Sequence, residues 1–426
     1  MPIPLRFLQR PLVRPELIGT PDDPYAPLRF GAFRWFIISL LPATLAQQIQ
    51  AVVVGWQIYA VTHDPLALGL VGLSEALPFI SVALFAGHVA DRIDRRQIAL
   101  GSLAVMLACG ATLFLLSFRM TKGAAVWPVY LVVAIGGVAR SFLTPARSAL
   151  AAELVVRELY PRAAAWRSAA WQLAAVVGPA LGGLLYAFGS ARLAYGVATS
   201  LFLVGLFCLA QVRRVVEPAE VDASSVWESL ALGVRFVWTQ PVLLGAMTLD
   251  LFSVLFGGAV ALLPIFAAEI LHVGPQGLGI MQAAPAAGAV AMSLVLTHRP
   301  PMRRAGRALF WAVGGFGLTI IAFALSRSFV LSVVLLAASG MLDMVSVLIR
   351  STLLQVFTPP QLLGRVSSVN SIFIGSSNEI GAFESGVAAR LLGTIPAVLF
   401  GGTMTLLVVA VTAWRNKPLR RLREIG

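Results

Sequence analysis

Apolar stretches of about twenty residues or more, broken by short polar or basic connections, follow one another along the whole chain. Twelve can be marked, near 34–61, 66–88, 97–118, 125–148, 164–188, 191–212, 242–271, 276–297, 308–326, 329–355, 366–389 and 394–414. Each is close to the ~20 residues that carry a helix across the hydrocarbon core of a bilayer. Helix is the expected conformation, because lipid offers backbone N–H and C=O groups no partner and a helix satisfies them internally. The stretches are too long and too continuously apolar for the alternating strands of a barrel. The pattern predicts an all-α membrane protein with twelve transmembrane helices.

One polar interruption is longer than the others. It divides the chain into a tail at 1–32, a six-helix bundle at 33–212, a linker at 213–240, a second six-helix bundle at 241–414 and a tail at 415–426. Part of the linker, 226–237, reads as an amphipathic helix. The halves resemble each other. Residues 173–183 overlay 376–386 at an offset of 203 (376 less 173), which sets Gly178 on Gly381 and Gly183 on Gly386. Glu75 to Pro78 overlay Gln282 to Pro285, and Arg95-Arg96 overlay Arg303-Arg304, at offsets of 207 and 208. Two pseudo-symmetric bundles with a site between them are a design of secondary transporters.

Composition closes off other classes. The 426 residues are 58% hydrophobic and 12% charged, with a mean hydropathy of +0.86. Soluble domains carry about 25% charged residues, so a water-soluble globule is excluded. The net charge of +13 raises nucleic acid as a partner. That is rejected, because the basic residues punctuate the chain between apolar stretches instead of gathering on one face. All but five of the 32 Lys and Arg residues fall on one side of the predicted spans, the five being Arg119, Lys122, Arg192, Arg327 and Arg390. By the positive-inside rule both termini are cytoplasmic, and a multi-pass protein of a bacterial inner membrane is expected. No signal peptide is read before the first apolar stretch, which begins near Phe33 and is long enough to remain as a helix. Cys109 and Cys208 sit inside apolar stretches as small core residues, and the four histidines lack ligand spacing, so neither metal nor cofactor is expected. No phosphate-binding loop and no nucleophile–base arrangement can be found, so the chain is not expected to be an enzyme.

Gly87-His88-Val89-Ala90-Asp91-Arg92-Ile93-Asp94-Arg95-Arg96 joins the second and third spans. It resembles the signature loop of the major facilitator superfamily, G-x-L-a-D-r-x-G-r-k, with Val89 for the usual Leu and Asp94 for the second Gly. The likeness extends over the whole chain: twelve spans, a central linker and this loop. Gly364 to Asn370, with Ser377-Asn378-Glu379 and Glu384-Ser385-Gly386, is similar to the enterobactin-exporter-like branch. The resemblance implies that Asp91 pins the halves together on the cytoplasmic side, against the start of the eleventh span near Ser367 and Ser368. Arg140, at the cytoplasmic end of the fourth span, would complete a charge network with Arg92, Arg95 and Arg96. Gly178-Pro179-Ala180-Leu181-Gly182-Gly183 resembles the antiporter motif of exporters in this superfamily, although that motif's earlier glycines are here Ala165 and Ala174.

Five of the 19 acidic residues lie deep within predicted spans: Glu75, Asp250, Asp343, Glu379 and Glu384. They fall on spans 2, 7, 10 and 11. Spans 3, 6, 9 and 12, which the superfamily places at the periphery, have no charge in their interiors. A carboxylate in hydrocarbon is costly unless it faces water or a partner, so the five mark a polar interior. Gln47 and Asn378 add neutral hydrogen bonding. Arg350, seven residues after Asp343, shares its helix face. The resemblance implies a secondary active transporter working by alternating access, whose partners are lipid, protons and a small amphipathic, siderophore-like substrate; the sequence leaves the oligomeric state open, with a monomer as the expectation. The expectation is proton-coupled export. A broad drug or metabolite efflux pump, an importer, and a receptor or scaffold without transport stay open beside it.

Overall fold

The computed structural model describes residues 23–120, 124–213, 226–298, 304–359 and 362–422, and among these helix dominates and no strand occurs. The first bundle consists of α1 (Gly31–Thr62), α2 (Pro65–Arg92), α3 (Arg95–Leu116), α4 (Trp127–Glu153) and α5 (Tyr160–Ala210). α5 is two spans laid end to end, broken at Ser190, whose φ of 67° no helix accommodates. After α6 (Val226–Thr239), the second bundle follows as α7 (Pro241–Phe256), α8 (Leu263–Ile265), α9 (Gly274–Thr297), α10 (Ala305–Leu325), α11 (Phe329–Phe357), α12 (Leu363–Leu392) and α13 (Thr394–Arg415), ending in the short α14 (Lys417–Arg421).

Ten described stretches are long and apolar enough to cross a membrane, and one of them, Arg157–Ala210, contains both spans of α5. α12 completes the twelve. Its serines, Asn378, Glu379 and Glu384 lower its hydropathy, but it packs between α2, α7 and α13, so protein replaces lipid around it. α1, with 32 residues, is about 48 Å long at 1.5 Å per residue. That exceeds the ~30 Å hydrocarbon core, so it tilts or reaches beyond it. Buried hydroxyls turn back onto their own helices, as from Thr44 to the Leu40 carbonyl at 2.8 Å and Thr405 to the Gly401 carbonyl at 3.0 Å. The helices expected at the periphery do present apolar side chains outward, with Leu115, Phe207, Trp311 and Trp414 all well exposed.

Within each half the helices pack closely, α5 on α1 and α2 on α4 in the first, α9 on α11 and α12 on α7 in the second. Two pairings make most of the contact between the halves, α2 with α12 and α5 with α9. Small residues make both possible. A Cβ on Gly386 would stand 2.7 Å from the Gly69 Cα, and one on Gly279 would stand 2.5 Å from the Pro179 carbonyl oxygen. These contacts lie towards the end that carries the α1–α2 turn at His63 and Asp64, the break at Ser190 and the turn at Gly393. This is the turn end; the opposite end, near α6, is the linker end.

The structure departs from the continuous helix expected over 242–271. α7 stops at Phe256, and a 3-10 turn (Ala259–Leu262), α8 and a π turn (Phe266–Ile270) follow. Gly257 and Gly258 are the cause. A Cβ on Gly258 would meet the Ser385 hydroxyl at 2.6 Å and the Gly381 carbonyl at 2.9 Å, so α12 presses on bare backbone, and Pro264 then lacks an N–H to continue a helix. The last residues also differ from a plain tail. Asn416 caps α14 by accepting from the Leu419 N–H at 3.0 Å and donates to the Pro241 carbonyl at 2.6 Å, while Leu419 is fully buried. The amphipathic helix expected in the linker is α6, which buries Val237 against Val366 and Val369 of α12.

Candidate functional site

Arg140 is the one described side chain that binds carboxylates from both halves. It stands in the middle of α4, not at its end as expected, because α4 runs on to Glu153. Its Nη1 lies 2.7 Å from Glu75 Oε1 on α2, in the same half, and its Nη2 donates to Glu379 Oε1 on α12, in the other half, at 3.0 Å. The guanidinium also lies over the Phe79 ring, 5.6 Å from its centre. A planar fork with several donors suits this double engagement, where a lysine would offer a point charge.

Glu75 and Arg140 form one wall of a cavity of about 640 Å³ in the first half, reaching from mid-bundle towards the linker end. Gln47, Gln48 and Gln50 line it from α1, and Gln47 Nε2 approaches the Met106 sulfur at 3.4 Å. α4 adds Arg147 and Ser148, and α5 adds Arg167, Ser168 and Trp171. Among the charged and polar lining residues, arginines and glutamines outnumber Glu75, which alone of the five expected carboxylates lines this cavity.

The remaining expected acids lie elsewhere. Arg350 and Asp250 form an ion pair between α11 and α7, with side chains only 9% and 8% exposed. Arg350 Nε also donates to the Ser346 hydroxyl at 3.2 Å. Asp343, two turns earlier on α11, lies within the field of the same guanidinium. Glu384 is approached by the Ser385 hydroxyl at 3.5 Å and joins neither cluster. Asn378 is exposed and donates to the Ile374 carbonyl of its own helix at 2.9 Å, so it does not line the cavity.

The signature loop behaves as two parts. The backbone of α2 stays helical to Arg92, while the surroundings of Gly87 and the side chains of Asp91 and Arg92 lie outside what is described, and with them the expected contact of Asp91. Asp94, standing where the family has glycine, caps α3 by accepting from the N–H of Arg96 at 2.8 Å, which is how the turn forms without glycine. Arg95 pairs with Glu153 at the end of α4, and Arg96 donates to the Ala210 carbonyl at 2.6 Å. Both arginines thus tie together helices of their own half. Ser367 is half-buried near the start of α12, and its carbonyl accepts from the Ser371 hydroxyl at 3.0 Å.

In the span-5 motif, Gly178 and Gly182 face α1, with a Cβ on Gly178 only 2.5 Å from the Gln48 Cβ. Gly183 faces α9, where a Cβ would come within 2.4 Å of the Pro275 carbonyl. Pro179 is buried, and its carbonyl lies against Gly279. Two further bonds cross between the halves at the turn end. Tyr59 donates to Glu269, and Arg390 reaches Asp64 at 2.5 Å. Nothing in the sequence pointed to these pairs, and Arg147 and Arg167 were among the basic residues that set the topology and nothing more. Among the described residues no group of His, Cys, Asp and Glu is placed to hold a metal.

Twelve spans in two bundles, joined chiefly at two helix pairs, with a cavity in the first bundle lined in part by glutamines and arginines, define a membrane transporter of the major facilitator fold. The chain belongs to the family described as transmembrane secretion effector, whose model matches residues 22–424. It is similar to the enterobactin exporter EntS of Shigella flexneri, 27% identical over 400 residues that cover 91% of this chain and 94% of that one. The enterobactin exporter EntS of Citrobacter koseri is 26% identical over 397 residues, with the same coverage. Among solved structures, a POT family transporter in complex with 5-aminolevulinic acid superposes with a TM-score of 0.69 at 11% identity, covering 91% of this chain and 96% of that one. An inward-facing, unoccupied bacterial homologue of the human lysosomal transporter Spinster gives 0.65 at 13% identity, over 94% and 97%.

Proposed function

We propose that the protein is a secondary active exporter that moves a small amphipathic molecule out of the cytoplasm in exchange for protons, across a bacterial inner membrane. Its halves, 33–212 and 241–414, rock against each other, the linker 213–240 and both termini lie in the cytoplasm, and Asp91 clamps the cytoplasmic side. The relatives named enterobactin exporters support a siderophore-like substrate. With the linker end cytoplasmic, contacts at the turn end and a cavity reaching the other way correspond to an inward-open arrangement.

The observation that carries the reading is Arg140 shared between Glu75 and Glu379. When the turn end opens, α12 leaves α4 and Glu379 loses its partner. An uncompensated carboxylate at that depth is costly, and taking a proton from the outside removes the cost. When the halves close again, Arg140 reclaims Glu379 and the proton leaves to the inside. Asp343 is the second candidate carrier, with Asp250 and Glu384 as relays. The test is substrate-induced proton movement in proteoliposomes with a catechol siderophore. Glu379→Gln or Asp343→Asn should abolish accumulation against a gradient while sparing downhill exchange. If both variants still move protons as the parent does, these groups are structural and the coupling fails.

A further inference from the structure

Arg147 is a buried cation that proton exchange leaves unused. It lies two turns beyond Arg140 on α4, lines the cavity, and its Nη2 is buried without a hydrogen-bond partner. No described carboxylate pairs with it or with Arg167, which enters the same cavity from α5. Gln50 adds an acceptor in the same condition, its Oε1 buried and without a donor. Native proteins rarely leave such groups unsatisfied, and an unpaired buried charge is among the most expensive.

The pseudo-symmetry supplies an internal control. α4 and α11 correspond, since their starts differ by 202 residues (329 less 127) and their ends by 204 (357 less 153). At the intermediate offset of 203, Arg147 falls on Arg350 (350 less 147), and Arg140 on Asp343 (343 less 140). In the second half Arg350 is neutralised by Asp250 of α7. In the first half α1 is the leading helix, as α7 is in the second, and between Gly31 and Thr62 it carries no Asp or Glu. One arginine of the related pair is closed off by its own bundle. The other is left open to the cavity.

We propose that Arg147, with Arg167, forms an anion subsite that receives the ionised carboxylate or phenolate of an aromatic substrate, while Gln50 accepts an adjacent hydroxyl. Trp171, 55% exposed on the cavity wall, supplies the face for the ring. The inference rests on the cavity being the substrate's path, and it adds the charge and functional groups of the cargo.

The test uses the full-length protein in phosphatidylcholine nanodiscs and two labelled probes of nearly one shape, 2-hydroxybenzoate and its neutral amide. Equilibrium dialysis should give the acid roughly tenfold tighter binding or more, the scale of one charge-assisted hydrogen bond. Arg147→Gln should erase that preference while retaining the amide, and Arg147→Lys should keep part of it. Should Arg147→Gln bind neither probe, Arg147→Lys decides by the same ratio. Equal binding of acid and amide by the parent, or an undiminished preference in Arg147→Gln, overturns the subsite. Loss of acid binding in phosphatidylglycerol nanodiscs would assign the arginines to a lipid headgroup and overturn it too. Transport is read separately. Arg147-dependent binding without movement in proteoliposomes refutes the transport reading alone, whereas transport of neutral amphiphiles with no acid preference refutes the subsite alone.

Discussion

Glu379→Gln should loosen the joint between the halves without weakening either half. The bond it alters spans 3.0 Å from Arg140, with side chains 34% and 20% exposed. A hydrogen bond to a charged group contributes about 1.5–3 kcal/mol, and exposed ion pairs at most about 1. Intermediate burial places this one near 2 kcal/mol. At 1.4 kcal/mol per factor of ten, the population with the turn end closed falls by roughly 30-fold relative to the open one. Spin labels at Phe188 and Leu391, both exposed near the turn end and on opposite halves, would report this as a longer-distance population in pulsed dipolar spectra. Glu75→Gln is the matched control, since its 2.7 Å contact with Arg140 stays inside the first half. It should lower the melting temperature and leave the distances unchanged. The reasoning fails if Glu379→Gln overlays the parent, or if Glu75→Gln opens the joint equally.

Other outcomes follow from the same geometry. Asp250→Asn strands Arg350 in a nearly dry site and should cost about 3–5 kcal/mol, seen as a lowered thermal midpoint in detergent, whereas replacing both partners with Leu and Met should recover most of it. Gly183→Val should prevent α5 from meeting α9, with overpacking of about 1–3 kcal/mol concentrated at the joint. Proteoliposome transport should therefore fall further than yield after purification. Arg390→Glu should weaken closure at the turn end, and the exchange Asp64→Arg with Arg390→Glu should restore it, read from the same spin-label pair. Reporters fused after Pro218 and Arg415 should read cytoplasmic and one after Lys122 external; a cytoplasmic signal at Lys122 would break the expected topology.

What the sequence revealed was what lipid imposes. Helix number follows from the apolar stretches, least plainly for α12, whose polar residues lower its hydropathy, while the outward place of α3, α10 and α13 came from the resemblance together with their uncharged interiors. What faces protein is tested against neighbours that are distant in the chain. Hydropathy over 242–271 gave no warning that Gly257 and Gly258 would yield to α12. Arg140 was assigned to a helix end because basic residues near span ends are read as loop charges, and nothing local revealed that α4 continues to Glu153. The intramembrane acids were found by their cost, but their partners were not, since Arg140 joins α12 across 239 residues. Arg147 was overlooked for a related reason. Its significance lies in a missing partner, and that becomes visible only when the other half is set beside it.

The two glycine contacts carry a mechanical consequence. Gly69 against Gly386, and Gly183 against Gly279, are two bearing points near one end of the molecule, and two points define an axis. Material on the axis barely moves while the linker end widens or narrows with the turn end shut, so tight backbone contact there can persist through that movement. Far from it, motion is magnified. From Gly183 back to Tyr160 the lever arm of α5 is about 35 Å at 1.5 Å per residue. Each degree of rotation then carries its far end about 0.6 Å, and ten degrees about 6 Å, roughly the thickness of an aromatic ring with its contacts on either face. The chain can therefore open a passage for a flat molecule without bending any helix, the side chains having been left out where the bodies turn.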